Sequence, residues 1–249
     1  MDITVALPTY DNSDILWLQL ESLCRQETQY SWELIVCEEP SEQYSGKAYV
    51  MEYEDRLRDA GCGNILYIGL DEHVPLSFKW VTIAQQSSGN AFVLAASDNY
   101  SAPDRLEVSY GHILDGYSWV DVSMGLFLDL KTWKRATFKK PPKASGLFMC
   151  TKTKHVKSLV GPPWPASSID GWMKKQIKQE LSFSIEGPTL GLHTDGANKI
   201  SKRRRVRYAE GRYGKQGHMR KRWLPPQQCL EEIISDDIIK KLKILSEGF

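Results

Sequence analysis

The feature that most constrains this fold is an alternation between residues 3 and 99. Short apolar runs alternate with stretches of helical periodicity, and turn-forming residues separate them. Ile3 to Leu7 predicts a strand stopped by Pro8. Asp11-Asn12-Ser13 supply helix-cap chemistry, after which Ile15, Leu16, Leu18, Leu20, Leu23 and Cys24 recur at helical spacing. Leu34 to Cys37 predicts a second strand, ending at Glu38-Glu39-Pro40-Ser41. Tyr49 to Ala60 predicts one helix with Gly61 just past its end. Ile65 to Ile68 predicts a strand, Phe78 to Ser87 a helix closed by Gly89, and Ala91 to Ala96 a strand running into Ser97-Asp98-Asn99. Strands alternating with helices imply βαβ units and a parallel sheet. In such sheets ligands bind beyond the carboxyl ends of the strands. Three of those ends carry Pro8-Thr9-Tyr10, Glu38-Glu39 and Asp98-Asn99. They are polar and two are acidic, which a purely structural sheet does not require.

From about Ser118 the pattern loosens. Val120 to Leu130 predicts a strand, and Ala144 to Cys150 is strand-like, with a helix at Thr153 to Leu159. The Pro-rich loop Gly161 to Pro165 leads through Ser168-Ile169-Asp170-Gly171-Trp172 into a helix over Ile169 to Glu180. Gly191 to Gly196 reads as a strand end and turn, and Lys202 to Arg222 is strongly basic. A last amphipathic helix is predicted at Ser235 to Leu245. Asp236 and Asp237 lie in its first turn and Lys240, Lys241 and Lys243 toward its end, in the order that suits the helix dipole. Its apolar stripe, Ile234, Ile238, Leu242 and Leu245, is expected to pack on the domain or on a partner subunit.

The 249 residues suffice for one large α/β domain or two small ones, and a net charge of +1 gives no global pull toward nucleic acid or membrane. No run approaches the roughly 18 apolar residues of a membrane span. The start reads as a first strand, not a signal peptide. The five cysteines are odd in number and form no CxxC pair. They point to reduced thiols in a cytoplasmic protein and against a zinc site made of cysteines alone.

The residue types at the strand ends suggest specific chemistry. Asp98 fits a carboxylate that holds a divalent ion over a diphosphate; Mg²⁺ or Mn²⁺ needs few protein carboxylates when phosphates supply the other oxygens. The same residue also fits a cap for a helix near Pro103. Glu38 and Glu39 fit acceptors for a base N–H or ribose hydroxyl, or a solvated loop pair. Tyr10 fits base stacking or packing, and Lys79 either an approach to a diphosphate or a solvated helix face. Asp170, in a loop beside Trp172 and before a helix, fits both a general base and an N-cap. Trp164 and Trp172 fit a wall for an acceptor ring or core packing.

Taken in order, these segments resemble family 2 glycosyltransferases of the GT-A fold. Ile3-Thr4-Val5-Ala6-Leu7-Pro8-Thr9-Tyr10 followed by Glu33 to Ser41 looks like that family's opening. Gly89 to Leu106 resembles its D-x-D region, Ser168 to Trp172 its E-D loop, and Leu192-His193 through Asn198 and Ser201 its late H-x-x-x-x-N-x-x-S segment. Three positions depart from the pattern: Glu38-Glu39 stand for two aspartates, Ala96 for the first Asp of D-x-D, and Ile169 for the Glu of E-D. The resemblance implies an α/β fold of GT-A type, with a Rossmann-like, mostly parallel central sheet flanked by helices. It spans residues 1–201, with 1–106 as the nucleotide-sugar half and 107–201 as the acceptor and catalytic half; a basic segment and an amphipathic helix fill 202–249. It further implies inverting transfer of a sugar from a nucleotide-diphosphate donor, a UDP-sugar first, with Asp170 as general base. Pro8, Thr9, Tyr10, Glu39, Lys79 and Asp98 would bind the donor, and Asp98 and His193 would hold Mn²⁺ or Mg²⁺.

Around Arg203, Arg204 and Arg205 the chain interleaves many cations with Tyr208, Tyr213 and Trp223. Such a segment suits nucleic acid, an anionic membrane surface, a lipid-diphosphate acceptor, or closure over the donor diphosphate. The acceptor is therefore open among a glycan, a lipid-linked sugar and nucleic acid, modified bases included. Two rival readings are a nucleotidyltransferase, which would release pyrophosphate, and a nucleic-acid-binding module on a degenerate transferase scaffold.

Overall fold

The computed structural model describes residues 1–10, 13–41, 45–130, 133–139, 148–159, 172–173, 181–185, 191–195, 223–224 and 230–247. The first half alternates as expected: β1 (Ile3–Thr9), α1 (Ser13–Leu23), β2 (Trp32–Glu38), α2 (Gly46–Glu52), α3 (Glu54–Asp59), β3 (Cys62–Gly69), α4 (Leu76–Gln86) and β4 (Ala91–Leu94). β5 (Asn99–Ser101), α5 (Arg105–Leu114), β6 (Trp119–Val122), β7 (Met124–Asp129), β8 (Lys134–Lys139), β9 (Cys150–Lys152) and α6 (Thr153–Lys157) follow, then β10 (Ser182–Ile185), β11 (Gly191–Asp195), β12 (Trp223–Leu224) and α7 (Asp236–Glu247).

Seven strands form the central sheet in the order β10-β6-β9-β4-β1-β2-β3. β1 pairs parallel with β2 and β4, and β2 with β3; β9 runs antiparallel between β4 and β6. Side chains alternate across this sheet because strand periodicity is two. Ile3, Val5, Leu7, Leu34, Val36, Ala91 and Val93 join the core with Leu16 and Leu20 of α1, Leu57 of α3 and Leu106 of α5. Ala6, Ile35, Cys37, Phe92 and Leu94 face the other way, onto Trp80 and Ile83 of α4 and Val156 of α6. A second sheet, β12-β8-β7-β11-β5, lies beside the end of β4.

Several boundaries differ from the sequence expectation for physical reasons. β1 continues through Pro8 because β4 pairs with β1 only as far as Ala6, so the missing N–H of Pro8 costs no bond on that side. The single helix expected over Tyr49–Ala60 is two. They meet at Tyr53, whose backbone (φ −98°, ψ −4°) leaves helical geometry; past the bend Arg56 reaches Glu21 of α1 at 2.7 Å. The strand expected over Val120–Leu130 breaks at Ser123, where backbone N–H and hydroxyl both donate to the Ile185 carbonyl, and its halves enter different sheets. Hydrophobic periodicity cannot register that break, since both halves are buried.

The last helix packs on the domain. Leu230, Ile233, Ile234, Ile238, Ile239 and Leu242 join Ile15 and Leu18 of α1 and Leu126 and Leu128 of β7. Arg25 at the end of α1 fastens it, donating to Ser235 Oγ at 2.7 Å and pairing with Asp237 at 2.9 Å. The four described cysteines, Cys24, Cys37, Cys62 and Cys150, are free thiols. Burial pushes their pKa values up, to about 11 for Cys37 and about 12 for Cys150, as expected of unreactive reduced thiols. Among the described residues no helix is long and apolar enough to cross a membrane.

Candidate functional site

Adjacency of β4, β1 and β2 brings the three polar strand ends together. Just past β2, the Glu39 carboxylate is almost wholly buried. Desolvating a charge that far requires close compensation. Lys79, on the core face of α4 and itself buried, supplies it: Nζ lies 2.5 Å from Glu39 Oε1 and donates to the Thr9 carbonyl at 2.9 Å. The other carboxylate oxygen meets His73 Nδ1. The His73 ring lies 5.1 Å from the Tyr10 ring, and the Lys79 ammonium 5.8 Å from it. Thr9 is 2% exposed, and its hydroxyl is buried without a hydrogen-bond partner. Buried polar atoms are rarely left so; a ligand's polar group would complete it. Four residues expected at the donor site, Thr9, Tyr10, Glu39 and Lys79, thus share one cluster with His73. Pro8 precedes them in β1.

Glu38 has a different job. Its carboxylate accepts the Gly46 N–H at 2.7 Å and the Tyr67 hydroxyl. It closes the start of α2, and a Cβ at Gly46 would stand 2.5 Å from its Oε1. Of the acidic pair, only Glu39 faces the strand-end cluster.

Asp98 lies in a tight turn between β4 and β5, closed by Asn99 N–H donating to Ala96 O at 3.0 Å. It does not cap α5, whose N-cap position is Asp104. Three elements clamp this turn. Thr194 of β11 donates to the Asp98 carbonyl through its backbone N–H at 3.0 Å and its hydroxyl at 2.7 Å. Gln19 of α1 is fully buried; with its amide oriented to satisfy both ends, it donates to the carbonyls of Ala96 and Asn99 at 3.1 and 3.0 Å. Arg105 of α5, also buried, donates to Ser101 Oγ at 2.8 Å and to the Leu94 carbonyl, with its guanidinium 4.9 Å from the Phe148 ring. Burial pulls the pKa of this arginine down to about 9. Phe148 itself has φ 53°, a left-handed conformation that costs a side-chain-bearing residue about 1–2 kcal/mol.

The antiparallel pairing of β11 with β5 sets His193 opposite Asn99, the residue after Asp98. The backbone positions of the two expected metal ligands therefore lie near one strand pairing although 95 positions separate them in the chain. A carboxylate oxygen with an imidazole nitrogen is a donor set that suits Mn²⁺, with phosphate oxygens filling the remaining positions. Among the described residues no three His, Cys, Asp or Glu side chains form a cage of their own.

Trp172 is half buried against the core that contains Trp80 and Met173. Asp170, Trp164, Arg203, Arg204 and Arg205 lie outside the described residues. Sequence reasoning overlooked His73, Gln19 and Arg105. His73 follows two acidic residues in a short polar loop and has no periodic signal. Gln19 and Arg105 were detectable in principle: each is a polar residue on the apolar face of its helix, beside Leu18, Leu20 and Leu106.

No protein-family model matches this sequence, and no curated protein does. Solved structures do match its fold. S. aureus TarS 1-349 in complex with UDP superposes with a TM-score of 0.63 at 15% identity, over 79% of this chain and 61% of that one. The mannosyltransferase PcManGT from Pyrobaculum calidifontis, in complex with GDP-Man and Mn²⁺, gives 0.56 at 14% identity, over 98% and 69%. Glucosyl-3-phosphoglycerate synthase from Mycobacterium tuberculosis, with Mn²⁺, UDP and glucosyl-3-phosphoglycerate, gives 0.52 at 13%, over 86% and 80%. The chain spans about three fifths of the TarS fragment's length. These structures are GT-A-type glycosyltransferases. The mostly parallel seven-stranded sheet flanked by helices is the GT-A fold.

Proposed function

We propose that this chain is a metal-dependent, inverting glycosyltransferase that moves a sugar from a nucleotide-diphosphate sugar, a UDP-sugar first, to an acceptor hydroxyl. The observation that carries this reading is the convergence at one sheet edge of the Thr9–Tyr10–Glu39–His73–Lys79 cluster and the Asp98 turn, on a fold whose solved examples hold UDP or GDP-Man. Pro8, Thr9, Tyr10 and Glu39 hold the nucleoside, with the unpartnered Thr9 hydroxyl as one of its hydrogen-bond partners. Lys79 neutralises Glu39 and fixes its orientation. Asp98 and His193 hold the divalent ion, which when bound supplies positive charge to the departing diphosphate.

Asp170 takes the proton from the acceptor hydroxyl. The acceptor oxygen bonds to the anomeric carbon from the face opposite the diphosphate, and the bond from that carbon to the phosphate oxygen breaks with its electron pair on the leaving group. Residues 1–201 carry this machinery, and 202–249 supply the α7 clasp and a basic segment. Arg203, Arg204 and Arg205 bind acceptor or donor phosphates, and Trp164 and Trp172 flank the acceptor.

A donor screen tests the reading. The purified protein is mixed with UDP- and GDP-sugars and Mn²⁺ or Mg²⁺, and nucleoside diphosphate release and melting temperature are measured. One donor is expected to raise the melting temperature and release its diphosphate. Asp98→Ala loses both. Asp170→Asn keeps the thermal shift but turns over about 10²–10⁴-fold more slowly. Pyrophosphate release would transfer the assignment to a nucleotidyltransferase, and no thermal shift with any donor would overturn the donor site itself.

A further inference from the structure

We propose a second anion-binding site, for a phosphate group on an organic body, at the end of the sheet opposite Glu39. A cavity of about 500 Å³ opens there beside the residues leading into β4, within the size range of small-molecule sites. Lys152, Lys154 and Lys157 line it, and no carboxylate among the described residues does. Thr153, on the same wall, is 3% exposed and its hydroxyl is buried without a partner. Ile113 and Leu114 form an apolar side, with Leu114 59% exposed.

The wall is held in place by the fold. Thr153 N–H donates to the Asn90 carbonyl at 2.8 Å. Lys157 Nζ donates to the Ser87 carbonyl at 2.9 Å, and Lys152 Nζ reaches the Gly116 carbonyl at 3.5 Å. An ammonium has three N–H donors, so each of these lysines keeps two for a ligand. Lys154 is exposed and sits between them in sequence. Three like charges around one cavity repel each other, and an anion is the species that would relieve them. The tetrahedral oxygens of a phosphate match several separate ammonium donors, and the apolar side suits the attached organic group. The cavity lies across the sheet from the polar strand ends, so a ligand there is not the sugar donor, and the inference stands whether or not sugar transfer is observed.

The phosphate could belong to a soluble metabolite or to a lipid headgroup, and two measurements separate them. Calorimetric titration with inorganic phosphate and phenyl phosphate probes the first source. Flotation with phosphatidylcholine vesicles, with and without phosphatidic acid, probes the second. The test variants are Lys154→Gln, on an exposed side chain, and Lys152→Gln/Lys154→Gln, which spares the tighter bond of Lys157. Binding of phosphate, tighter for phenyl phosphate, weakened about tenfold or more by the double variant and weakened by salt, supports the site with a soluble ligand. Binding only to phosphatidic acid vesicles, lost in the same variant, supports it with a lipid one. Absence of binding in both measurements, or binding that the double variant retains with its melting temperature unchanged, overturns it.

Discussion

Glu33, near the start of β2, and Glu39, just past its end, are both almost fully buried, and the protein compensates them in different ways. Glu33 is surrounded by neutral donors: the Thr4 hydroxyl at 2.6 Å, the Ser88 N–H and hydroxyl at 2.7 and 2.9 Å, and the Gly89 N–H at 3.1 Å. Burial pushes its pKa up, but these hydrogen bonds outweigh it and hold the carboxyl below the usual range. Glycine is required at 89, where a Cβ would stand 2.5 Å from the backbone of Ile3 and Thr4. Every one of these partners is uncharged, and the result is a structural joint between β2 and the entry to β4. Glu39 is held by a buried ammonium and an exposed imidazole, beside an unpartnered threonine hydroxyl. A charged partner from a separate helix and a threonine hydroxyl without a partner accord with the donor role proposed for this cluster.

The largest effect should come from removing one member of the Glu39–Lys79 pair. Glu39→Ala leaves a buried ammonium uncompensated and is expected to cost about 3–5 kcal/mol in denaturant unfolding. Glu39→Met/Lys79→Met should recover most of that stability while failing to bind donor. Recovery of both together would show that the pair is merely structural. At the other end of β2, Glu33→Gln turns an amide NH₂ toward hydrogen-bond donors, with an expected cost of about 1–3 kcal/mol and unchanged donor affinity.

Acidity sharpens the contrast. Glu33 and Glu21 both have pKa values held below the ordinary 4.5, the latter chiefly by the Arg56 guanidinium. Their stabilisation is fully present above pH 4.5 and is lost as the pH falls through their lower folded values. Melting temperature measured against pH should therefore drop below that point, and Glu33→Gln should flatten the drop. The smallest effect is expected for His73→Ala. Its side chain is 73% exposed, so stability should change by no more than about 0.5 kcal/mol, while donor affinity, read by the thermal shift, should fall measurably. An unchanged donor affinity would remove His73 from the site.

Much of this architecture was legible before any coordinates. Apolar runs at β1, β2 and β4 are long enough and regular enough to define the parallel layers, and the polar residues that end them, acidic at β2 and β4, follow directly in the chain. The kink at Tyr53 and the strand break at Ser123 were not legible, because both flanks of each carry the same burial pattern and only distant partners, Glu21 and the Ile185 carbonyl, distinguish them. Within the acidic pair the sequence offers two equivalent glutamates. Tyr67 and the Gly46 N–H take Glu38, which leaves Glu39 to Lys79 and His73.

By itself, then, the sequence determined the alternation of strands and helices, the polar strand ends and the apolar stripe that seats α7, since these depend on periodicity between near neighbours. Tertiary structure alone decided that Lys79 is buried against Glu39, that Gln19, Arg105 and Thr194 clamp the Asp98 turn, and that His193 lies across from Asn99. Apart from the bonds of Arg105, which reach only to Ser101 and Leu94, those pairings join residues tens of positions apart, and their partners are set by which strands become neighbours, a property of the packed sheet that no local pattern encodes.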